Sequence, residues 1–199
     1  MPTDYKKEWM EKSSIDYFSP FISLWLACNS WYQSHYSELE GVDRDFINML
    51  KTDFTGRNHL FDNFSHLIDK NDKTGIAFRT NIELLHYSLV KAELISEKIG
   101  PCSFNYSVMD YNNKNNKTNL IENPKINQDG SVQAADIPKI IKLDKIYITS
   151  NKPLFFAGLF EIIYQVRNML VHGKLNPEKD EHEVVKYCYL ILWEMMHQP

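Results

Sequence analysis

Four polar residues follow one line along a segment that is otherwise apolar. Large apolar side chains occur almost all round the predicted helix 153–171, which is typical of a buried helix. The polar residues are Glu161, Gln165, Asn168 and His172. Their spacing places them within about 60° of one another on a helix. Because buried polar groups need hydrogen-bond partners, we expect this polar stripe to meet another helix, a second subunit or a ligand.

The end of the same helix adds a titratable group. His172 is followed by Gly173, and a glycine after an apolar periodic run predicts the C′ residue that ends a helix. The partial negative charge of a helix C-terminus favours a protonated imidazole. Arg167 lies about 120° from the stripe on an ideal helix. It therefore approaches His172 only if the last turn tightens or unwinds.

Asn29 is a second polar residue on an apolar face, between Trp25 and Tyr32 of the first predicted helix. It either makes one interhelical hydrogen bond that fixes the packing register or supports the polar stripe.

The other histidines and the cysteines do not predict a metal centre. His59 and His66 are about 10.5 Å apart along a helix axis, too far for one ion with ligands at about 2.1 Å. Cys28, Cys102 and Cys188 are far apart and include no C-x-x-C pair, which predicts neither a zinc site nor a disulfide frame. We expect no metal, no other cofactor and a reducing, cytoplasmic compartment.

Helical periodicity covers most of the chain and predicts an all-α bundle. The predicted helices are 16–36, 45–51, 58–69, 75–95 and 153–171, with a last helix starting at Asn176-Pro177 or at Asp180.

Residues 100–150 have a different character. Gly100-Pro101 ends a helix, and the run 112–119 is polar and of low complexity. Segments 103–109 and 145–149 carry β-branched or aromatic residues and would pair as short strands. Since the segment has too few large apolar residues for its own core, we predict a small irregular or β insertion within a single domain, 1–199.

Composition excludes several classes of protein. The chain has 199 residues, 43% of them hydrophobic and 24% charged, which is ordinary globular usage. A net charge of −4 argues against a broad basic surface for duplex nucleic acid. No apolar run approaches the roughly 18 residues of a membrane span, and the polar residues 1–8 predict no secretory signal.

The run Arg167-Asn168-Met169-Leu170-Val171-His172-Gly173 resembles the Arg-x(4–6)-His motif of HEPN domains, with Asn after the Arg, ahead of a final helix. Segment 16–40 is similar to the first helix of bacterial, Apea-like members. Arg79 and His86 also match the spacing, but they lack the Asn and the Gly.

This resemblance implies a helical bundle, a homodimer, and a metal-independent endoribonuclease of toxin–antitoxin or phage-defence type. His172 would be the acid/base, Arg167 would hold the phosphate, and Asn168 would orient one of them, with Glu161, Gln165 and Asn29 as support.

Lys174 stands where one toxin branch has the Tyr that its partner modifies, so we do not expect a nucleotidyltransferase antitoxin. Lys174 either contacts RNA phosphate or is a solvated loop lysine. The alternative function is a non-catalytic HEPN module that binds nucleotide, RNA or a protein partner. The expected partners are a second copy, RNA, and an antitoxin or regulatory protein, with no membrane.

Overall fold

The computed structural model describes residues 16–98, 100–108, 116–176 and 180–197. It is mostly helical, as predicted. The helices are α1 (Phe18–His35), α2 (Asp43–Thr52), α3 (His59–Asp69), α4 (Lys73–Ala92), α5 (Lys152–Val171) and α6 (Glu181–His197). Of the two predicted starts of the last helix, the one at Asp180 is confirmed. The predicted features at 1–8, Met109, 112–115 and Pro177 lie outside the described residues.

Local capping sets several helix ends. The Asn58 side chain accepts a hydrogen bond from the Phe61 N–H at 3.3 Å, and the Asn151 side chain accepts one from the Leu154 N–H at 3.1 Å. Such caps satisfy N–H groups that the first helical turn leaves unpaired. The start of α5 is therefore encoded just before its apolar run.

Helix α5 is the centre of the fold. It is buried without interruption from Phe155 to Val166 and contacts α1, α2, α3 and α6. By length and composition it could span a membrane, but 72% of its most apolar stretch is buried inside the fold. Its burial is that of a core helix in a soluble protein.

The insertion forms small antiparallel sheets. The strands are β1 (Ile95–Ser96), β2 (Gly100–Pro101), β3 (Ser107–Val108), β4 (Lys117–Thr118), β5 (Ile121–Glu122), β6 (Ile140–Lys142) and β7 (Tyr147–Thr149). β1 pairs with β2, β3 with β4, and β7 lies between β5 and β6. The prediction that segments 103–109 and 145–149 pair with each other is wrong, because the intervening strands occupy both edges of β7.

The insertion shares the core of the helices. Phe104, Leu120 and Ile148 are fully buried and belong to the same apolar cluster as α5. A glycine in α5 permits this approach: a Cβ on Gly158 would lie 2.7 Å from Leu120 Cδ1. The Ser107 hydroxyl donates to the Gly158 carbonyl at 3.2 Å. The insertion is thus fastened to the middle of the helix that carries the polar stripe.

Candidate functional site

A Schellman motif ends α5 and positions His172. Gly173 takes the left-handed C′ conformation with a φ of +64°, which confirms its predicted role. Its N–H donates to the Leu170 carbonyl at 3.0 Å, and the Lys174 N–H donates to the Met169 carbonyl at 2.8 Å. His172 is the C-cap. His172 and Lys174 are consequently exposed where the chain leaves the core.

The deep half of the polar stripe is a buried ion cluster. The side chains of Glu161 and Lys51 are 1% and 2% exposed. Glu161 accepts two hydrogen bonds from Arg44, at 2.7 and 3.0 Å, and one from Lys51 at 2.6 Å. Gln165 Nε2 donates to Glu161 Oε1 at 2.7 Å. Of the three predicted sources of partners, α2 of the same chain supplies those of Glu161.

The two cations decide the charge of this carboxylate. Burial raises the pKa of Glu161, but the hydrogen bonds from Arg44 and the positive charges of Lys51 and Arg44 outweigh it, and the pKa of Glu161 lies below its usual value. Glu161 is therefore ionised at neutral pH and acts only as an acceptor.

The outer half of the stripe begins at Asn168. Arg167 Nη1 donates to Asn168 Oδ1 at 2.9 Å and lies 3.5 Å from Asp43 Oδ2. The guanidinium carbon is 5.5 Å from the centre of the Trp25 ring. The Arg167 side chain is 20% exposed, and its buried Nε has no hydrogen-bond partner in the described part of the chain. The guanidinium therefore has a hydrogen-bonding position that no described protein group uses.

Asp43 joins three helices at this point. Besides facing Arg167 of α5, the Asp43 carboxylate accepts a hydrogen bond from the Tyr32 hydroxyl of α1. Burial, together with the bond to Asp43, raises the pKa of Tyr32 well above its usual value. The Tyr32 hydroxyl thus remains a donor and holds the carboxylate beside Arg167.

A cavity of about 200 Å³ lies beside the outer half of the stripe. Its lining residues are Ser96, Glu97 and Lys98 of β1 and the turn after it, Tyr164, Gln165, Asn168, Met169 and His172 of α5, and Lys174. Ser96 and Gln165 are buried, whereas the charged residues and His172 are exposed. The buried residues Ser96 and Gln165 form the floor of the cavity, which is polar and uncharged. The exposed residues form its mouth, which is charged: Glu97, Lys98, His172 and Lys174.

The mouth carries both signs of charge. Lys174 Nζ lies 2.6 Å from Glu97 Oε2, with 42% and 78% of the two side chains exposed. Hydrogen bonding and the positive charge of Lys174 lower the pKa of Glu97. Solvent screens an ion pair this exposed, so an anionic ligand can displace Glu97 at small cost.

The structure brings together most of the predicted site residues. Glu161 and Gln165 are hydrogen-bonded to each other, with Arg44 on Glu161, and Asn168 is hydrogen-bonded separately to Arg167. Gln165 and Asn168 line the cavity with His172 and Lys174. Arg167 touches Asn168 but does not line the cavity. Asn29 is half-buried on α1 and does not line it either.

The second Arg–His match has a structural position. Arg79 Nη1 donates to the carbonyls of Ile68 and Lys70 at 2.8 and 2.7 Å, which closes the C-terminal end of α3. His86 is 8% exposed. Burial lowers its pKa although the nearby Glu83 opposes this shift. Arg79 thus caps a helix and His86 is packed in the interior, so each has a structural role.

Sequence reasoning missed the residues that come from elsewhere in the chain. Arg44 and Lys51 are seven apart in α2 and so share one helix face. That spacing was the available signal, since a carboxylate in an apolar helix requires cations. Asp43 and Ser96 carried no signal, because only the folded chain places them beside α5.

Among the described residues, no group of three or more His, Cys, Asp or Glu side chains is arranged to hold a metal ion. No family model, no curated protein and no solved structure matches this chain.

Proposed function

We propose that the chain is a cytoplasmic, metal-independent endoribonuclease of toxin or phage-defence type, on a HEPN-like bundle, with its active site at the mouth of the α5 cavity. One observation carries the proposal. Asn168 accepts a hydrogen bond from Arg167 and lines the cavity together with His172. Asn168, which lies between Arg167 and His172 in the sequence, thus contacts Arg167 and lines the same cavity as His172.

The residue types suit cleavage by the ribose 2′-hydroxyl. In this reaction the 2′-oxygen attacks the adjacent phosphorus, the bond from phosphorus to the 5′-oxygen breaks, and one proton is removed while another is supplied. His172 is exposed at the mouth, and imidazole is the side chain that most often transfers protons in catalysis. Arg167 would hold the phosphate, which would replace Asp43 as its anionic partner.

A homodimer completes this mechanism. One chain supplies one His172, whereas the reaction needs both a base and an acid. Because Glu161 is enclosed by α2 of its own chain, the deep half of the stripe does not face a partner. The exposed end of α5, with Val171 and His172, is the part that a second copy would meet across a two-fold axis.

The alternative is a non-catalytic module that binds nucleotide, RNA or a protein partner. The ion pairs of Arg167 with Asp43 and of Lys174 with Glu97 favour it, because they neutralise the cations that a phosphate in the transition state would need. In that case the same cavity holds a ligand, and His172 contributes a hydrogen bond without proton transfer. An antitoxin or regulatory protein would bind the same exposed end of α5.

The test is cleavage of a labelled single-stranded RNA by the purified protein in EDTA, comparing the wild type with His172→Ala and Arg167→Ala. We expect cleavage by the wild type and loss of about 100-fold or more in rate in each variant.

His66→Ala is the matched control, since His66 is an exposed histidine on α3, away from the cavity; it should cleave like the wild type. A wild-type protein that binds RNA without cutting it would replace the proposal by the binding module. Cleavage unchanged in His172→Ala would contradict the assigned site.

A further inference from the structure

We propose that the floor of the α5 cavity is a nucleobase-binding subsite that takes a base edge with an amino group beside an acceptor ring nitrogen, as adenine and cytosine have. This inference rests on the proposed function in one respect: the base is part of an RNA or nucleotide whose phosphate lies at the mouth. It is carried by the orientation of two side-chain amides, both of which charged neighbours fix.

The first fixed amide is Gln165. Its side chain contacts Glu161 at 2.7 Å, and an ionised carboxylate only accepts hydrogen bonds. The NH₂ group of Gln165 must therefore face Glu161. Its oxygen faces the opposite way, toward Ser96 at 3.4 Å and the cavity floor. Since a carbonyl oxygen has two acceptor sites, Ser96 leaves one for a ligand.

The second fixed amide is Asn168. Its contact at 2.9 Å is with the Arg167 guanidinium, which has only donors. The oxygen of Asn168 must therefore face Arg167, and the NH₂ group is directed away from the guanidinium. Asn168 and Gln165 both line the cavity. They thus offer it a donor and an acceptor whose positions cannot exchange.

This pair of groups is complementary to one edge of a base. The same combination, an amide oxygen and an amide NH₂, is the one that recognises adenine through its amino group and ring nitrogen. Cytosine carries an amino group beside a ring nitrogen as well. Gln165 is 4% exposed, so only a group that projects from the ring reaches its oxygen. An amino group there forms a hydrogen bond, whereas the projecting carbonyl of uracil would face another oxygen.

The size and walls of the cavity agree with a single base. Its volume of about 200 Å³ is below the roughly 300–1,000 Å³ of clefts for drug-sized ligands. Tyr164 and Met169 provide apolar wall beside the amides, as the faces of a base require. The mouth, with Lys98, His172 and Lys174, opens beside the end of α5 at which the proposed function places the phosphate.

The buried ion cluster fixes the orientation of the amide that would bind the base. Arg44 and Lys51 hold Glu161, and Glu161 holds the amide of Gln165 in one orientation. Gln165 is accordingly a specificity-determining residue, and Glu161 is a positioning residue that acts through it.

The experiment is calorimetric titration of the full chain with AMP, CMP, UMP and ribose 5-phosphate as probes. We expect AMP to bind about tenfold more tightly than ribose 5-phosphate, and CMP to bind more tightly than UMP, because one satisfied buried hydrogen bond is worth up to about tenfold in affinity. Equal binding of AMP and ribose 5-phosphate, tighter binding of UMP than CMP, or no binding of AMP at millimolar concentration would overturn the subsite.

Variants assign the subsite to its residues. Gln165→Met keeps an unbranched side chain of similar length and should lower AMP affinity about tenfold while leaving that for ribose 5-phosphate unchanged. Gln33→Met, at an exposed position of α1, is the matched control and should bind AMP like the wild type. If Gln165→Met does not fold, Asn168→Leu serves instead. Unaltered AMP affinity in the folded variant overturns the proposal.

The outcome is separable from that of the proposed function. A protein that discriminates AMP from ribose 5-phosphate but cuts no RNA keeps the subsite and refutes the nuclease. A protein that cuts RNA with no difference among the four probes keeps the nuclease and refutes the subsite.

Discussion

Removing the central carboxylate of the buried ion cluster should cost more stability than removing one of its donors. Glu161 accepts four hydrogen bonds, two from Arg44, one from Lys51 and one from Gln165. Glu161→Leu deletes all four and takes the counter-charge away from an ammonium that is 2% exposed. Breaking a buried ion pair from one side costs about 3–5 kcal/mol.

The donor variant is milder. Lys51→Met removes one charge-assisted hydrogen bond, worth about 1.5–3 kcal/mol, and leaves Glu161 its bonds with Arg44 and Gln165. For a chain of 199 residues, each kcal/mol corresponds to roughly 2–4 °C in Tm. We therefore expect Tm to fall by about 6–20 °C in Glu161→Leu and by about 3–12 °C in Lys51→Met.

The double variant makes the comparison decisive. Glu161→Leu with Lys51→Met removes both buried charges, so its loss should be smaller than the sum of the two single losses, with a coupling of about 1–3 kcal/mol. Urea unfolding of the four proteins measures all three differences. Additive effects, or a larger loss in Lys51→Met than in Glu161→Leu, would refute the reasoning that Glu161 is the hub of the cluster.

The ionisation of Glu161 also predicts how the stability of the fold changes with pH. The pKa of Glu161 in the folded protein lies below its ordinary value of 4.5, so its ionised form stabilises the fold above pH 4.5 and this contribution is lost as the pH falls further. The stability difference between wild type and Glu161→Gln should be constant near neutral pH and should narrow below pH 4.5. Glu40→Gln, at an exposed position, is the matched control. A difference that grows on acidification would contradict the assigned ionisation.

Three further variants test the packing around the site by thermal unfolding. Gly158→Ala should lose about 1–3 kcal/mol by overpacking, because the new Cβ meets Leu120 at 2.7 Å; an unchanged Tm would show that the insertion does not press on α5. Gly173→Ala should lose about 1–2 kcal/mol through its positive φ alone, since nothing lies within 4 Å of the added carbon, and a stability equal to or above that of the wild type would contradict the Schellman end. Asp43→Ala should lose about 1–3 kcal/mol, because it leaves the buried Tyr32 hydroxyl without its acceptor; stability equal to wild type would mean that the hydroxyl finds water.

The helical part of the fold was predictable because its signals are local. The Gly173 stop marks the end of α5 from neighbouring residues, and Asp180 likewise precedes the first residue of α6. The amphipathic spacing of α3 gave both its limits. Such signals act within one or two helical turns and do not depend on the rest of the chain.

The insertion was harder to predict because its strands are two or three residues long. The composition of 145–149 identified a strand, but its partners, Ile121–Glu122 and Ile140–Lys142, have no stronger pattern than other short segments nearby. Pairing in such sheets is decided by packing on α5, where Gly158 admits Leu120.

The candidate site shows the same division. Helical spacing identified the polar stripe from Glu161 to His172. In the structure Gln165 bonds to Glu161, and Gln165, Asn168 and His172 line one cavity at the outer end. The residues that complete it, Asp43, Arg44 and Ser96, lie 65 or more positions from the stripe along the chain. Their local sequence does not predict that the fold brings them next to the stripe.

The central claim, that the mouth of the α5 cavity cleaves RNA through the ribose 2′-hydroxyl, is tested most directly on the products. A labelled RNA is cut by the wild-type protein in EDTA, the main cleavage position is mapped, and the same RNA is then made with a single 2′-deoxynucleotide on the 5′ side of that bond. We expect the first RNA to yield a 2′,3′-cyclic phosphate end and the second to resist cleavage at that position. Cleavage of the 2′-deoxy position, or a product ending in a 3′-hydroxyl and a 5′-phosphate, would contradict the account.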